Sequence, residues 1–118
     1  MNPNKAKGTA LERQTADYWQ EHWSEWIDRR TPTGGKDKGD LVNVRVGAAR
    51  LVIEVKNSVS YKDLSGWVEE AAIEAVNDGA VAGIVVHKRK GKAEPGQQYV
   101  TMTQASLLAI LHAAALRA

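Results

Sequence analysis

Apolar residues recur at helical spacing in the first quarter of the chain. Between residues 9 and 28 they fall three or four positions apart, which predicts a helix with an inward stripe of Ala16, Trp19, Trp23 and Trp26. We expect this stripe to be core rather than a platform for stacked bases. Extended back by one turn, the stripe reaches Glu12. This carboxylate either caps free amides in the first turn or points into a cleft with other acidic groups.

The apolar spacing changes to a period of two after a glycine-rich loop. Residues 41–46 and 50–56 both alternate, and a short turn between them predicts an antiparallel hairpin. Side chains of a strand alternate between its two faces, so Glu54 and Lys56 are predicted to share one face. The opposite face is apolar and consists of Leu51, Ile53 and Val55.

The second half of the chain predicts two helices and two strands. Residues 61–78 have helical spacing, with the glutamates outward and an inward face of Leu64, Trp67, Val68, Ala71, Ala72, Ala75 and Val76. Residues 81–87 are almost continuously apolar, which is typical of a central strand and predicts a right-handed parallel crossover from the preceding strand. Residues 98–102 should form an edge strand, and residues 103–116 a final helix that is apolar nearly all round.

Composition bounds the class of protein. With 118 residues and 43% apolar content, residues 1–118 are predicted to form a single domain with one core. There are no cysteines, which excludes disulfides and cysteine-based zinc sites. Residues 1–7 are polar, resemble no signal peptide and are predicted to form a mobile basic arm. No apolar stretch is long enough for a bilayer, so we expect a cytoplasmic protein.

Basic residues are clustered although the net charge is only +2, from 16 Lys and Arg against 14 Asp and Glu. They concentrate in residues 1–7, 29–38 and 88–92, whereas the acidic residues concentrate in 63–78. Basic patches of this kind indicate a polyanionic partner, although a solvated loop is the commoner explanation of any single patch.

Two carboxylates and a lysine are predicted to meet at one edge of the sheet. Asp40 precedes the strand 41–46 in phase with its valines, and Glu54 and Lys56 end the neighbouring strand. Burying a carboxylate beside an ammonium is costly unless a bound group offsets the desolvation. A divalent metal and a phosphate would do so, which predicts metal-assisted phosphodiester hydrolysis. A salt bridge between Glu54 and Lys56 is the structural alternative, and His87 is expected to be a half-buried histidine.

These residues resemble the PD-(D/E)XK nuclease superfamily, and within it the archaeal-type Holliday junction resolvases. The resemblance covers roughly residues 7 to 101 and rests on Lys7-Gly8, Glu12-Arg13, Thr33-Gly34-Gly35, Gly39-Asp40-Leu41 and Ile53-Glu54-Val55-Lys56. It implies a restriction-endonuclease-like α/β core of order αβββαβ, with a mixed central sheet flanked by helices, to which this chain adds a C-terminal helix. Gly39 departs from the family, which usually has proline there.

The resemblance also implies roles for the site residues. Asp40, Glu54, the carbonyl of Val55 and Glu12 would bind Mg²⁺, for which Mn²⁺ could substitute. Lys56 would orient or deprotonate the attacking water and offset charge in the transition state. The residues expected to grip DNA phosphates are Lys7, Arg13, Thr33, Lys36, Lys38, Lys88, Arg89, Lys90 and Lys92.

The implied function is a metal-dependent DNA endonuclease that resolves four-way junctions. Paired symmetric cuts require two active sites, so we expect a homodimer, with the apolar C-terminal helix as the shared surface or else as a lid on the monomer's own core. Two alternatives remain open. The chain could be a nicking or restriction-like nuclease on duplex DNA, or a catalytically silent DNA-binding module of the same fold.

Overall fold

A four-stranded sheet and three helices make up the described part of the chain. The computed structural model describes residues 3–31 and 34–116. Its elements are α1 Pro3–His22, β1 Asp28–Arg29, β2 Leu41–Val42, β3 Arg45–Val46, β4 Ala49–Lys56, α2 Leu64–Asp78, β5 Ala82–His87, a 3-10 turn Pro95–Gln97, β6 Tyr99–Thr101 and α3 Gln104–Ala115. Within these ranges, no helix combines the length and the apolar character needed to cross a membrane.

The main sheet is mixed and has the strand order β3-β4-β5-β6. Strand β4 pairs parallel with β5, from Leu51 opposite Ala82 to Lys56 opposite His87, and the other pairings are antiparallel. Strands β1 and β2 form a separate antiparallel pair. The α/β class, the mixed sheet and the parallel connection through α2 that the sequence predicts are confirmed.

Strand β4 lies at the centre of the molecule and is covered on both faces. Its apolar face packs in one core with α1, β5 and the inner side of α3; this core includes Leu11, Ala16, Leu51, Ile53, Val55, Ile84 and Val86, with Ala109 and Ile110 against it. Helix α2 covers the other face. It lies very close to β5, because a Cβ added at Gly83 would overlap the backbone carbonyl of Ala71. Glu54 therefore lies beneath a helix rather than at an open surface.

The first helix is displaced from its predicted bounds. It spans Pro3–His22 rather than residues 9–28, so residues 3–7, predicted as part of an arm, lie in its first turns. Because the helix ends at His22, the helical stripe does not continue beyond it. Trp23 is 47% exposed and Trp26 is 73% exposed, while Ile27 enters the core. The prediction that both tryptophans are core was therefore wrong.

The predicted strand 41–46 is broken in the middle. Asn43 has a φ of 65°, a left-handed conformation that asparagine tolerates better than most residues. Its side-chain amide donates to the carbonyl of Trp26 at 2.8 Å, which stabilises the break. As a result β2 pairs with β1, and only β3 forms the predicted hairpin with β4.

The inward face of α2 differs from the prediction. Glu74 is buried, with 1% of its surface exposed, while Val76 is 81% exposed and Ile73 is also exposed. The close approach of α2 to β5 at Gly83 sets its rotation, so Ala71, Glu74 and Ala75 face the sheet. The prediction that the glutamates form only a solvated face was wrong for Glu74.

Helix α3 covers one end of the core with little burial of its own. No residue of Gln104–Ala115 is buried, and Leu107, Leu108 and Leu111 are exposed. Thr103 caps the helix by accepting a hydrogen bond from the amide of Ser106 at 3.1 Å. A groove of about 710 Å³ separates α3 from the hairpin and is lined by Val46, Gly47, Ala48, Ala49, Val81, Ala109, His112, Ala113 and Leu116.

Candidate metal centre

Backbone hydrogen bonds fix Asp40 against the edge of β4. Its amide donates to the carbonyl of Ile53 at 2.9 Å, and its carbonyl accepts from the amide of Arg30 at 2.8 Å. Its carboxylate accepts from the amide of Val55 at 2.7 Å. Asp40 therefore lies beside β4, as the sequence predicted, although the regular strand begins only at Leu41.

The residue before Asp40 must be glycine in this backbone. Gly39 has a φ of 93°, and a Cβ there would lie 2.7 Å from Cγ1 of Val52 and 3.1 Å from the carbonyl oxygen of Ile53. A proline has φ near −65°. The replacement of the proline usual in the nuclease pattern thus follows from the local conformation.

Asp40 and Glu54 form a buried pair of carboxyl groups. They lie close enough to share a proton, and Glu54 is only 4% exposed. Burial, above all, raises the pKa of Asp40 to about 8 and that of Glu54 to about 8. Within the described residues, no donor reaches Oε2 of Glu54. The pair is therefore suited to hold a proton or a cation.

Glu74 is a site residue that the sequence interpretation missed. No group in the described part of the chain donates a hydrogen bond to either of its carboxylate oxygens. Burial, as the largest cause, raises the pKa of Glu74 to about 7. A signal was present, because Trp67, Ala71 and Glu74 follow each other by four and three positions on one helical face.

Four carboxylates from three segments converge beside Glu54. Asp37 in the loop, Glu54 on β4, and Glu70 and Glu74 on α2 each offer an oxygen within 4.8 Å of the others. We call these four residues the acidic cluster. Because all its ligand atoms are carboxylate oxygens and two of its members are buried, the acidic cluster could hold a metal ion.

Lys56 lies beside the acidic cluster and is ion-paired with it. Its Nζ is 3.1 Å from Oε2 of Glu70. Burial acts to lower the pKa of Lys56, but the hydrogen bond from Glu70 and the charge of Glu54 outweigh it, so the pKa is raised overall. Lys56 is therefore a stable ammonium. Its salt bridge is formed with Glu70 on α2, whereas the structural alternative had expected Glu54.

Glu12 faces Asp40 from α1 rather than capping the helix. Because α1 begins at Pro3, Glu12 lies beyond its first turn, and the capping interpretation was wrong. Oε2 of Glu12 accepts from Nη2 of Arg29 at 3.2 Å. Burial, followed by the charge of Asp40, raises the pKa of Glu12 in spite of Arg29. Glu12 thus lies near Asp40, outside the acidic cluster.

A groove of about 390 Å³ opens between Asp40 and the glycine-rich loop. It brings together predicted metal ligands and predicted phosphate contacts, and its lining residues are Glu12, Arg29, Arg30, Thr31, Gly34, Gly35, Lys36, Asp37, Lys38, Gly39 and Asp40. We call it the loop groove. Arg29 and Arg30, which were not among the predicted DNA contacts, also line it. Thr33 lies outside the described residues.

A second groove, of about 490 Å³, carries three of the other predicted DNA contacts. Its lining residues are Lys7, Asn57, Ser58, Val59, Ser60, Lys88, Lys90 and Gly91, and we call it the lysine groove. The side-chain amide of Asn57 donates to the carbonyl of Lys7 at 2.9 Å, which ties the start of α1 to the end of β4.

Three predicted contacts lie outside both grooves. Arg13 is paired with Asp28 at 2.8 Å and with Asp17 at 3.6 Å. The guanidinium of Arg89 lies 5.3 Å from the centre of the Tyr99 ring. Lys92 lines neither groove; its carbonyl accepts hydrogen bonds from Lys88 and Gln98. The structure thus divides the nine predicted contacts among two grooves and the surrounding surface.

His87 ends β5 opposite Lys56 and is fully buried rather than half-buried. Its Nε2 lies 2.7 Å from Oγ1 of Thr101, and its ring is surrounded by those of Tyr61, Trp67 and Tyr99. Burial lowers its pKa, which favours the neutral form. These contacts indicate a packing role.

Comparisons with known proteins complete the description of this site. A scan against family models found no match, and neither a search of curated proteins nor one of solved structures found a similar protein. The site itself combines Asp40, Glu54 and Lys56 at one end of β4, with Glu12 opposite and basic grooves nearby.

Proposed function

We propose that the protein is a metal-dependent DNA endonuclease of the PD-(D/E)XK type. The observation that carries this proposal is the pair of buried carboxyl groups, Asp40 and Glu54, beside the ammonium of Lys56 at the end of β4. The order of α1, the β3–β4 hairpin, α2 and β5 supports a restriction-endonuclease-like core. The second short strand pair, β1 with β2, is an addition to that pattern.

The residues fit a hard divalent cation such as Mg²⁺ or Mn²⁺. Oxygen ligands are available from Asp40 and Glu54, and Oε2 of Glu54 meets no donor among the described residues. The amide and carbonyl of one strand residue point to the same edge. Because the amide of Val55 meets Asp40, its carbonyl also faces that edge. Glu12 lies opposite as a further ligand, direct or through water.

Each residue then has a defined task in hydrolysis. The ion supplies Lewis acidity, which activates water and offsets charge on the phosphate. Asp40 is held in place by three backbone hydrogen bonds, so its carboxylate needs no reorganisation. The water oxygen bonds to phosphorus, the bridging P–O bond breaks, and the leaving oxygen takes a proton. Because the pKa of Lys56 is raised, its ammonium acts by orienting groups and balancing charge rather than as a base.

The two grooves support backbone contacts to DNA. Lys36 and Lys38 lie in the loop groove with Asp40, and Lys7, Lys88 and Lys90 lie in the lysine groove at the end of β4 and β5. Lysines at such positions contact phosphates without reading bases. A substrate recognised by its shape, and specifically a four-way junction, fits this arrangement better than a specific duplex sequence.

Junction resolution also calls for a homodimer. Helix α3 presents Leu107, Leu108 and Leu111 to solvent and buries none of its own residues. An apolar helix of this kind would be covered by the same helix of a second copy around a twofold axis. Two active sites would then cut the junction symmetrically.

A cleavage assay with matched variants tests this function. Purified protein with Mg²⁺ is incubated with a four-way junction, a linear duplex and a single strand. We expect symmetric cuts in the junction, loss of cleavage in EDTA and in Glu54→Gln, and normal activity in Glu69→Gln, which alters an exposed glutamate of α2. Cleavage of duplex alone would favour a nicking nuclease. Tight binding without any cleavage would indicate a silent DNA-binding module.

A further inference from the structure

Glu74 has no task in the proposed hydrolysis, yet it is the most deeply buried carboxylate of the site. It is 1% exposed, and neither of its oxygens meets a donor within the described residues. An ionised carboxylate in such surroundings is destabilising unless a cation or proton accompanies it. Its position on the inward face of α2 aims it at Glu54.

The neighbours of Glu74 are themselves acidic. Its carboxyl group adjoins those of Glu54 and Asp37, and Glu70 completes the acidic cluster within 4.8 Å. Lys56, at 3.1 Å from Glu70, is the cation paired with the acidic cluster in the described part of the chain. Four ionised carboxylates and one ammonium leave a charge of −3, so one divalent ion would reduce it to −1.

We propose that Asp37, Glu54, Glu70 and Glu74 form a second divalent-cation site, separate from the one centred on Asp40. Glu54 belongs to both sites, with Asp40 on one side and the α2 carboxylates on the other. An all-oxygen set of four carboxylates selects a hard ion such as Mn²⁺, Mg²⁺ or Ca²⁺. Asp37 and Glu70 are accessible to solvent, which gives the ion a path of entry.

This second site ties α2 and the glycine-rich loop to β4. Asp37 lies in the loop, where its carboxylate already accepts from the amide of Gly39 at 2.9 Å, and the side chain of Asn77 on α2 donates to its carbonyl at 2.9 Å. An ion held by these segments would stabilise the fold around Asp40. The assignment stands without nuclease activity, because it depends on α2 residues that the proposed hydrolysis does not use.

Titration with Mn²⁺ tests the proposal directly. Free Mn²⁺ is followed by electron paramagnetic resonance, or heat by calorimetry, in the absence of DNA at neutral pH. We expect wild type to bind two ions per chain, and Glu74→Gln and Glu70→Gln each to weaken one of them by at least about tenfold. Asp40→Asn should weaken the other. Glu69→Gln is the matched control on the same helix and should bind as wild type does.

The outcomes separate this site from the proposed nuclease site. Binding by Glu74→Gln and Glu70→Gln that equals wild type would overturn the second site, whatever the activity. Loss of an ion in these two variants, together with no effect of Asp40→Asn, would support the second site and contradict the proposed nuclease centre. Circular dichroism checks folding, and because Glu70 is only half-buried, Glu70→Gln decides the question if Glu74→Gln misfolds.

Discussion

Replacing Glu74 by glutamine should stabilise the metal-free protein at alkaline pH. The pKa of Glu74 is raised from 4.5 to about 7, so the folded protein binds this proton more tightly than the unfolded chain. In that window, stability falls as pH rises from the unfolded to the folded pKa. Glutamine has nearly the same shape and carries no charge. It should therefore remove this loss of stability.

The magnitude follows from the shift. A shift of one pKa unit corresponds to about 1.4 kcal/mol, so the full shift of Glu74 would correspond to about 3 kcal/mol. Water reaches Asp37 and Glu70 and screens part of this interaction. We therefore expect a gain of roughly 1 to 3 kcal/mol at pH 8 and little change at pH 4. In a domain of this size, each kcal/mol raises Tm by about 4 °C.

Urea unfolding in EDTA at pH 4 and pH 8 measures this gain. Glu69→Gln, on the exposed side of α2, should change the free energy of unfolding by less than about 0.5 kcal/mol at either pH. A Glu74→Gln variant that is no more stable than wild type at pH 8, or that gains equally at both pH values, would show that its carboxylate carries no uncompensated charge.

Three other predictions concern cleavage, DNA binding and assembly. Asp40→Asn should lower the cleavage rate by at least about 100-fold while binding the junction as tightly as wild type; unchanged cleavage in a single-turnover assay would contradict its role. The double variant of Lys88 and Lys90 to alanine should flatten the plot of log affinity against log salt by up to about 1.8, at 0.9 per phosphate, whereas Arg13→Ala should leave the slope unchanged. Leu108→Glu should convert a dimer to monomers, and light scattering of wild type at the single-chain mass of 12.9 kDa would refute the dimer.

The sequence was most informative where local rules decide the structure. Alternation along β4 is a property of any strand, and it correctly separated Glu54 from Ile53 and Val55. The cap at the end of α2 was also predictable, because Gly79 adopts the left-handed conformation that ends helices. Both features depend on residues that are near each other in the chain.

Features set by distant contacts could not be predicted in the same way. The rotation of α2, which buries Glu74 and exposes Val76, depends on how closely the helix packs at Gly83 on β5. Trp23 and Trp26 left the predicted stripe because α1 ends at His22, and no strong stop signal marks that position. Propensity and periodicity do not contain this tertiary information.

The pairing of Lys56 bears on why the carboxylates are buried at all. A salt bridge between Glu54 and Lys56 would have offset the desolvation of Glu54 and left the site with a purely structural explanation. In the structure, Lys56 pairs with Glu70, and within the described residues no donor reaches Oε2 of Glu54 or either oxygen of Glu74. The fold therefore tolerates buried carboxylates that destabilise the metal-free state. Such a cost is expected where the same oxygens gain their partner from a bound cation, because the ion then stabilises only the folded chain.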